Sequence, residues 1–389
     1  MNDNITPYVR YIGADDKDLD LFESQYVVPQ GISYNSYVIT DEKIAVMDTI
    51  DQRKTEEWTV RLEEALEGRT PDYLIVQHME PDHAANIGWF AEKYPEATIV
   101  ASAKAIQMMP QFFEEVNFAG RTQTVKEGDT LCLGQHTLKF IMAPMVHWPE
   151  VMLTYEESEK ILFSADAFGK FGALCHEGEW IDEARRYYFN IVGKYGAQVQ
   201  ALLKKAAGLD IAMICPLHGP VLKENLGYYI GLYDTWSKYE PETEGVVVAY
   251  ASIHGNTAAA ARRMAEILSE KGATEVMLID LCRDDMALAV ESAFRYSKMI
   301  VAASSYDAGV YTPMFDFLHH LQIKNFQKRR VGIIENGSWA PTAGRMMSCM
   351  LSEMKNMEIM EHMVTIKSSM KKADLLQMEE LAEELLATE

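Results

Sequence analysis

From residue 246 onward the sequence alternates β-forming runs with helical ones, and this alternation constrains the fold more than any other feature. The runs "VVVAY", "EVMLIDL", "KMIVAAS", "RVGIIEN" and "EIMEHMVTIK" are each followed by a helical pattern, from "TAAAARRMAEILSEKG" to "DLLQMEELAEELL". Strands separated by helices lie parallel and are joined by right-handed crossovers. Residues 246–389 are therefore expected to form a doubly wound parallel sheet of five strands. The acidic, Pro-containing stretch "YEPETEG" marks a linker and makes residues 1–245 a domain of their own. A chain of 389 residues also exceeds what one ordinary core holds. In the first domain short apolar runs follow one another closely: "SYVIT", "KIAVMDT", "DYLIVQ", "TIVAS", "TLKFIMAP", "VMLTY", "KILFSAD" and "IAMICP". Helical patterns, "TEEWTVRLEEAL" and "AQVQALLKKAAG", interrupt them. Hairpin strands mixed with helices predict an α/β sandwich, two sheets with helices outside.

Composition removes several function classes. A formal charge of −22 repels the nucleic-acid backbone, so no nucleic-acid partner is expected. No apolar stretch is long enough to span a membrane, and the N-terminus lacks a basic segment followed by an apolar one. Neither a membrane nor secretion is expected. The five cysteines are scattered with no Cys-x-x-Cys pair, which excludes a Cys-based rubredoxin or iron–sulfur module and fits a reducing cytoplasm.

Two constellations carry chemistry. The first begins in "VQHMEPDH", which ends an apolar run and spends His78, Glu80, Asp82 and His83 on one loop. His147 follows in "APMVHWPE", Asp166 in "LFSADAFG" and His218 in "ICPLHGP", each at the end of a β-like run. Strand ends are where binding loops sit. Any one of these side chains could serve as a structural hydrogen-bonder, but seven in this arrangement point to a metal centre. The second constellation opens the second domain. "VVVAYASIHGNTAAAA" places Ser252, His254, Gly255, Asn256 and Thr257 between a strand and a helix. Backbone N–H groups and the helix dipole there suit a phosphate. "AASSYDAGVYTP", with Ser304, Ser305, Tyr306, Asp307, Ala308 and Gly309, leaves the C-terminal end of another strand. So does "IENGSWAPTAG", with Asn336, Gly337, Ser338, Trp339 and Ala340. Open α/β sheets bind ligands at such ends. Gly309 and Gly337 permit close backbone approach, and Tyr306 and Trp339 could flank a flat ring. No Gly-x-Gly-x-x-Gly dinucleotide fingerprint is present, so FMN is expected rather than a tightly bound NAD(P).

The first constellation resembles the metallo-β-lactamase superfamily, whose loop reads His-x-His-x-Asp-His, followed by a later His, a bridging Asp and a last His. Glu80 stands at the second His position. A hard carboxylate in place of imidazole suits iron better than zinc. Joined to a flavodoxin-like half, the pattern resembles the flavodiiron proteins, also called A-type flavoproteins, over essentially the full chain. The resemblance implies an N-terminal metallo-β-lactamase-like αββα sandwich and a C-terminal flavodoxin-like domain. It implies one iron held by His78, Glu80 and His147, a second by Asp82, His83 and His218, and Asp166 bridging. The 52-residue step from Asp166 to His218 is short for the family and implies a trimmed loop. The implied activity is reduction of O2 to water, of NO to N2O, or both, at a non-haem diiron site fed through FMN. The sequence stops at Glu389 without a fused rubredoxin or reductase, so a separate donor, rubredoxin or a flavin reductase, is expected. The family resemblance further implies a homodimer or homotetramer. A binuclear zinc hydrolase with an accessory flavodoxin domain is the alternative; a plain electron-transfer flavoprotein with a relict metal site is a third reading. Trp148, Tyr187 and Tyr188 are candidates for a substrate pocket or for the core, and Asp48 is read as structural.

Overall fold

The computed structural model describes residues 4–176 and 178–387. The chain divides into two compact units, Met1–Tyr188 with Ala197–Asp234, and Phe189–Gly196 with Thr235–Glu389. No helix among the described residues is long and apolar enough to cross a membrane.

The first unit holds two sheets. One has six strands in the order Val9–Tyr11, Tyr37–Thr40, Ile44–Met47, Tyr73–Val76, Thr98–Ser102 and Thr122–Val125. Its first two pairings are antiparallel and its last three parallel. The other has five strands, Thr130–Cys132, Thr137–Met142, Met152–Glu156, Ile161–Phe163 and Met213–Cys215, antiparallel until the final parallel pair. Alternation along each strand turns one face inward. Ile39, Met47, Ile75 and Val100 of the first sheet form one buried cluster with Leu138, Phe140, Met152 and Phe163 of the second. The expected sandwich is thus present.

In the second unit all main strands run parallel, in the order Val276–Asp280, Thr243–Ala251, Tyr296–Tyr306, Arg330–Asn336. The fifth position is shared by two short pieces, Glu358–Ile359 and Val364–Ile366. The sequence predicts one strand there. The interruption has a local cause: the Glu384 carboxylate accepts from the backbone N–H groups of Glu361 and His362. The strand order is 2-1-3-4-5, that of flavodoxin-like sheets. Val246, Val248, Ile300, Ala302 and Ile334 face the helices Asn256–Glu270 and Lys372–Leu386 in a single cluster. Phe189 belongs to this unit through a stack on Phe294 at 4.3 Å, and the Lys324 ammonium donates to the Asn190 carbonyl (2.6 Å). Nothing in the apolar pattern of "YFNIVGKYG" distinguishes this excursion from the helical segments around it.

Gly332 lets the C-terminal helix close on the sheet. A Cβ at this position would lie 2.6 Å from Ile300 Cδ1 and 2.9 Å from Leu381 Cδ1. Both neighbours are fully buried, so neither can swing away freely. Gly332→Val is expected to destabilise the chain by about 1–3 kcal/mol through overpacking. A lowered denaturant midpoint with an unchanged slope would bear this out.

Candidate metal centre and flavin cleft

The seven predicted metal-site residues converge in the first unit. Each hangs from the C-terminal end of a strand: His78 after Tyr73–Val76, His147 beyond Thr137–Met142, Asp166 after Ile161–Phe163 and His218 after Met213–Cys215. Pro81 opens a single helical turn, Pro81–Ala84, in which Asp82 and His83 follow one another. Its fixed φ suits a first helical position.

The donors form two sets, His78, Glu80, His147 and Asp166 in one and Asp82, His83 and His218 in the other. His147 Nε2 lies 3.0 Å from Glu80 Oε2 and 3.1 Å from Asp166 Oδ2. His78 Nε2 is 3.3 Å from each of those oxygens. On the other side, His83 Nε2 is 3.3 Å from Asp82 Oδ2 and 3.3 Å from Asp166 Oδ1. His218 Nε2 is 3.2 Å from Asp82 Oδ2 and 3.1 Å from His83 Nε2. The two oxygens of Asp166 therefore face different sets. A cation bound at about 2.0–2.2 Å places neighbouring donors roughly 3.0–3.5 Å apart, which is the spacing found.

Hydrogen bonds outside the sets aim the imidazoles. His78 Nδ1 donates to Glu150 Oε1 (2.8 Å) and His218 Nδ1 to the Ser33 carbonyl (2.7 Å), so that each Nε2 is the nitrogen directed inward. Both oxygens of Asp82 and both of Asp166 are buried without a hydrogen-bond partner. Orphaned carboxylates of this kind are costly unless a cation is held between them. With imidazoles and carboxylates and no thiolate, the set fits a metal of intermediate hardness such as iron.

Protonation follows from the same crowding. Burial opposes charge on His147, but the Asp166 and Glu80 carboxylates beside it outweigh that and raise its pKa to about 9. His78 is likewise driven well above the usual imidazole range, against its burial, by Asp166, Glu150 and Glu80. Burial tends to raise the Glu80 carboxyl, yet His147 and His78 hold it below the ordinary range. Burial pushes Asp82 up to about 7.

Several participants escaped the sequence reading. Glu150 is buried and accepts from His78 and from the Met79 N–H (2.9 Å). It stands three residues after His147 in "HWPE", but its partner is His78, 72 residues away, so that position does not mark its role. Phe22, on the hairpin Leu21–Phe22 with Tyr26–Val27, packs edge-on to His218 at 5.5 Å. That hairpin bounds a cleft of about 250 Å³ that Glu80 and Asp82 also line. Trp148 packs at right angles to His78 at 5.4 Å, and Tyr187 lies 5.5 Å from His218. Tyr188 instead packs on Tyr233. Asp48 is buried, and its carboxylate accepts from the N–H of Gln77 (2.7 Å), fixing the residue before His78.

The three predicted loops of the second unit enclose a cleft of about 470 Å³. This is within the range of cofactor sites. The lining takes in every predicted flavin residue except Gly255 and Gly309, and adds Ile253, Thr342 and Ser368. Gly255 (φ +92°) sits at the N-cap of the helix Asn256–Glu270, a conformation that suits glycine. Gly309 lies on the return arm of a hairpin. Asp307 and Ala308, both at positive φ, form its two-residue turn, and Gly309 pairs with Tyr306. The room at Gly337 is also taken by the protein, because a Cβ there would lie 2.8 Å from Pro341 Cα. Ser305 Oγ accepts from the N–H groups of Thr342 (2.8 Å) and Ala343 (3.1 Å), tying two loops together. Trp339 is 92% exposed and Tyr306 48%, so both rings have faces free for a planar ligand.

Comparison with known proteins agrees with this geometry. Residues 32–219 match the family model described as ODP family beta lactamase. The chain is 31% identical over 319 residues to an uncharacterized protein of Methanocaldococcus jannaschii, covering 80% of each. It is 29% identical over 353 residues to the anaerobic nitric oxide reductase flavorubredoxin of Aliivibrio fischeri, covering 87% of this chain and 70% of that one. Among solved structures it is similar to rubredoxin oxygen:oxidoreductase from Desulfovibrio gigas. The TM-score is 0.92 at 25% identity, covering 98% of this chain and 97% of that one.

Two outcomes are expected of the metal centre. Glu150→Ala frees the His78 ring and should weaken divalent-metal affinity by about 10–100-fold, as loss of an orienting carboxylate does. Titrating metal-stripped protein with Co(II) would measure it. Metal binding must also expel the protons on His147 and His78, so affinity should rise with pH up to about 9. Co(II) titrations at pH 6.5 and 8.5 should show tighter binding at the higher value.

Proposed function

The chain belongs to the flavodiiron protein family, and from that premise we propose that it reduces O2 to water, NO to N2O, or both, at a non-haem diiron site supplied through FMN. The observation that carries this reading is Asp166, whose two buried oxygens face separate donor sets on a chain that also builds a flavin-sized cleft. His78, Glu80 and His147 would hold one iron and Asp82, His83 and His218 the other, with Asp166 between them. FMN would lie in the cleft formed by Ser252–Thr257, Ser304–Ala308 and Asn336–Ala340, its phosphate at the N-terminus of the helix Asn256–Glu270. When bound, the irons supply open positions for a diatomic gas and the flavin supplies electrons in pairs.

The chain's own residues do the rest. Glu150 and the Ser33 carbonyl fix the tautomers of His78 and His218, so that these rings present acceptor nitrogens inward. Phe22 and Tyr187 pack around His218 and keep bulk water from that side. Three carboxylates in the donor sets, Glu80, Asp82 and Asp166, favour the higher oxidation state of a bound pair. In the second domain the Thr257 and Ser304 hydroxyls hydrogen-bond each other (2.8 Å), which leaves one of the two protons for a phosphate at the helix start.

Relatives named for nitric oxide and for oxygen reduction support both gases as substrates, and both names include a rubredoxin element. A rubredoxin-type protein is therefore the proposed electron donor. We further propose a functional division into residues 1–245 and 246–389, a homodimer or homotetramer, and a cytoplasmic location. A binuclear zinc hydrolase is disfavoured by Glu80 and by the flavin cleft.

The test is to purify the chain, determine iron, zinc and flavin, and follow anaerobic consumption of each gas with one reductant. Two irons and one FMN per chain with turnover of either gas is the expected result; native zinc without flavin would overturn the reading. Glu80→His should shift metal preference toward zinc and abolish gas reduction, while FMN content stays unchanged. Full activity with full iron content in that variant would remove the role given to Glu80.

A further inference from the structure

A second cavity, of about 370 Å³, lies on the outer face of the five-stranded sheet of the first unit. Its floor is Leu153, Leu162 and Ile214, the residues that alternate with the inward-facing Met152, Phe163 and Cys215. Leu162 and Ile214 are direct neighbours across the parallel pair. The helices Gly196–Ala206 and Leu226–Ser237 form the walls through Leu202, Ala206 and Ile230. The lining is aliphatic almost throughout. Its one charged group, Asp210, is exposed at the rim and pairs with Lys160.

The cavity is graded from mouth to floor. Leu203, Ala206, Leu209 and Ile230 are only half-buried, whereas Leu153, Leu162 and Ile214 are buried. The inner end is made by Val146, Ala167 and Phe168. Val146 precedes His147, and Ala167 and Phe168 follow Asp166, so the inner wall consists of chain neighbours of two metal-site residues. Phe168 is stacked on Tyr233 at 4.3 Å, and its N–H donates to the Tyr233 hydroxyl (2.6 Å). Packing alone does not call for an open space of this size, since protein interiors are close-packed. An apolar cavity gives water no partners and stays dry, while it readily takes small apolar guests such as xenon.

We propose that this cavity is a gas-holding antechamber, in which the diatomic substrate collects before reaching the metal centre past Val146 and Ala167. The assignment of the guest as O2 or NO rests on the function proposed above; the capacity for an apolar gas does not. Both molecules are uncharged and partition from water into apolar surroundings. The position of the inner end, against the backbone flanking His147 and Asp166, favours them over a long-chain lipid.

Crystals pressurised with xenon provide the direct test. Xenon should occupy the space among Leu153, Leu162, Leu202 and Ile214, and should be lost in Ala206→Trp, which fills the space from a half-buried helix position. In steady state, Ala206→Trp should raise the KM for the gas by about threefold to tenfold, because restricted access slows encounter. Its kcat, iron content and FMN content should not change. Leu203→Trp, also at the mouth, is the second variant should the first fold poorly. An absence of xenon from the cavity, a lipid recovered from it, or an unchanged KM in a variant that excludes xenon would overturn the proposal. If the loaded wild-type chain consumes neither gas, the functional reading fails. Xenon occupancy and its loss in Ala206→Trp would then still decide whether the cavity holds an apolar gas.

Discussion

Three carboxylates and four imidazoles meet in a largely buried space that only the Glu80 and Asp82 side opens to a cleft, and the architecture of the first unit is organised around that concentration of charge. Asp82 and Asp166 bring four oxygens into the interior with no hydrogen bond to any of them. A buried carboxylate without compensation costs several kcal/mol, more than a single well-packed side chain returns. Without metal, protons substitute in part. Asp166 and Glu80 hold His78 and His147 in their charged forms, while burial drives Asp82 toward protonation. Bound cations satisfy all of these groups together, which is why metal loading and the integrity of this region are expected to be linked.

Such a cluster needs rigid supports, and the supports are hydrogen bonds from the loops to the sheets. The carboxylate of Asp48 fixes Gln77 immediately before His78. Thr49 binds the His83 carbonyl through both its N–H (2.9 Å) and its hydroxyl (2.7 Å). The segment Ser33–Tyr37 secures the loop that carries His218. The Asn35 amide donates to the carbonyls of Pro216 and Gly219, and the Tyr37 hydroxyl to Pro216. Gly219 adopts φ +80°, so the turn after His218 needs a residue that tolerates left-handed backbone. Mutations at these positions would act on the site without touching a ligand atom.

How far this was legible in the sequence depended on scale. The βα alternation of the second unit was clear, and the helix predicted at "TEEWTVRLEEAL" is found at Thr55–Leu66, because runs of that length display their period. The metal residues stood out since few structural needs place two histidines and two acids in one tight loop. The strands before Tyr37 went unread. Leu21–Phe22 and Tyr26–Val27 have two residues each, too short for any alternation to show. The helix Leu226–Ser237 was missed because Gly227, Gly231 and four aromatic residues blur its face. Glu150 escaped for another reason. Its role comes from distance in space to His78, 72 residues away in the chain, and no local pattern records that.

The flavin cleft poses the opposite physical problem to the metal centre. There charge is buried and must be neutralised, whereas here apolar surface is exposed and must be covered. The loops themselves are already fixed: Ser305 ties the second loop to Thr342 and Ala343, and Asn336 and Ser368 exchange two hydrogen bonds. The aromatic rings at the rim are left to water, above all Trp339. A planar ligand laid against that ring removes apolar area from solvent at about 25 cal/mol per Å² while demanding little reordering of the loops. Phosphate recognition at the helix N-terminus then sets position and the rings set orientation. Binding energy in this cleft can thus come from surface already in place, in contrast to the metal centre, where the ligands must first give up protons.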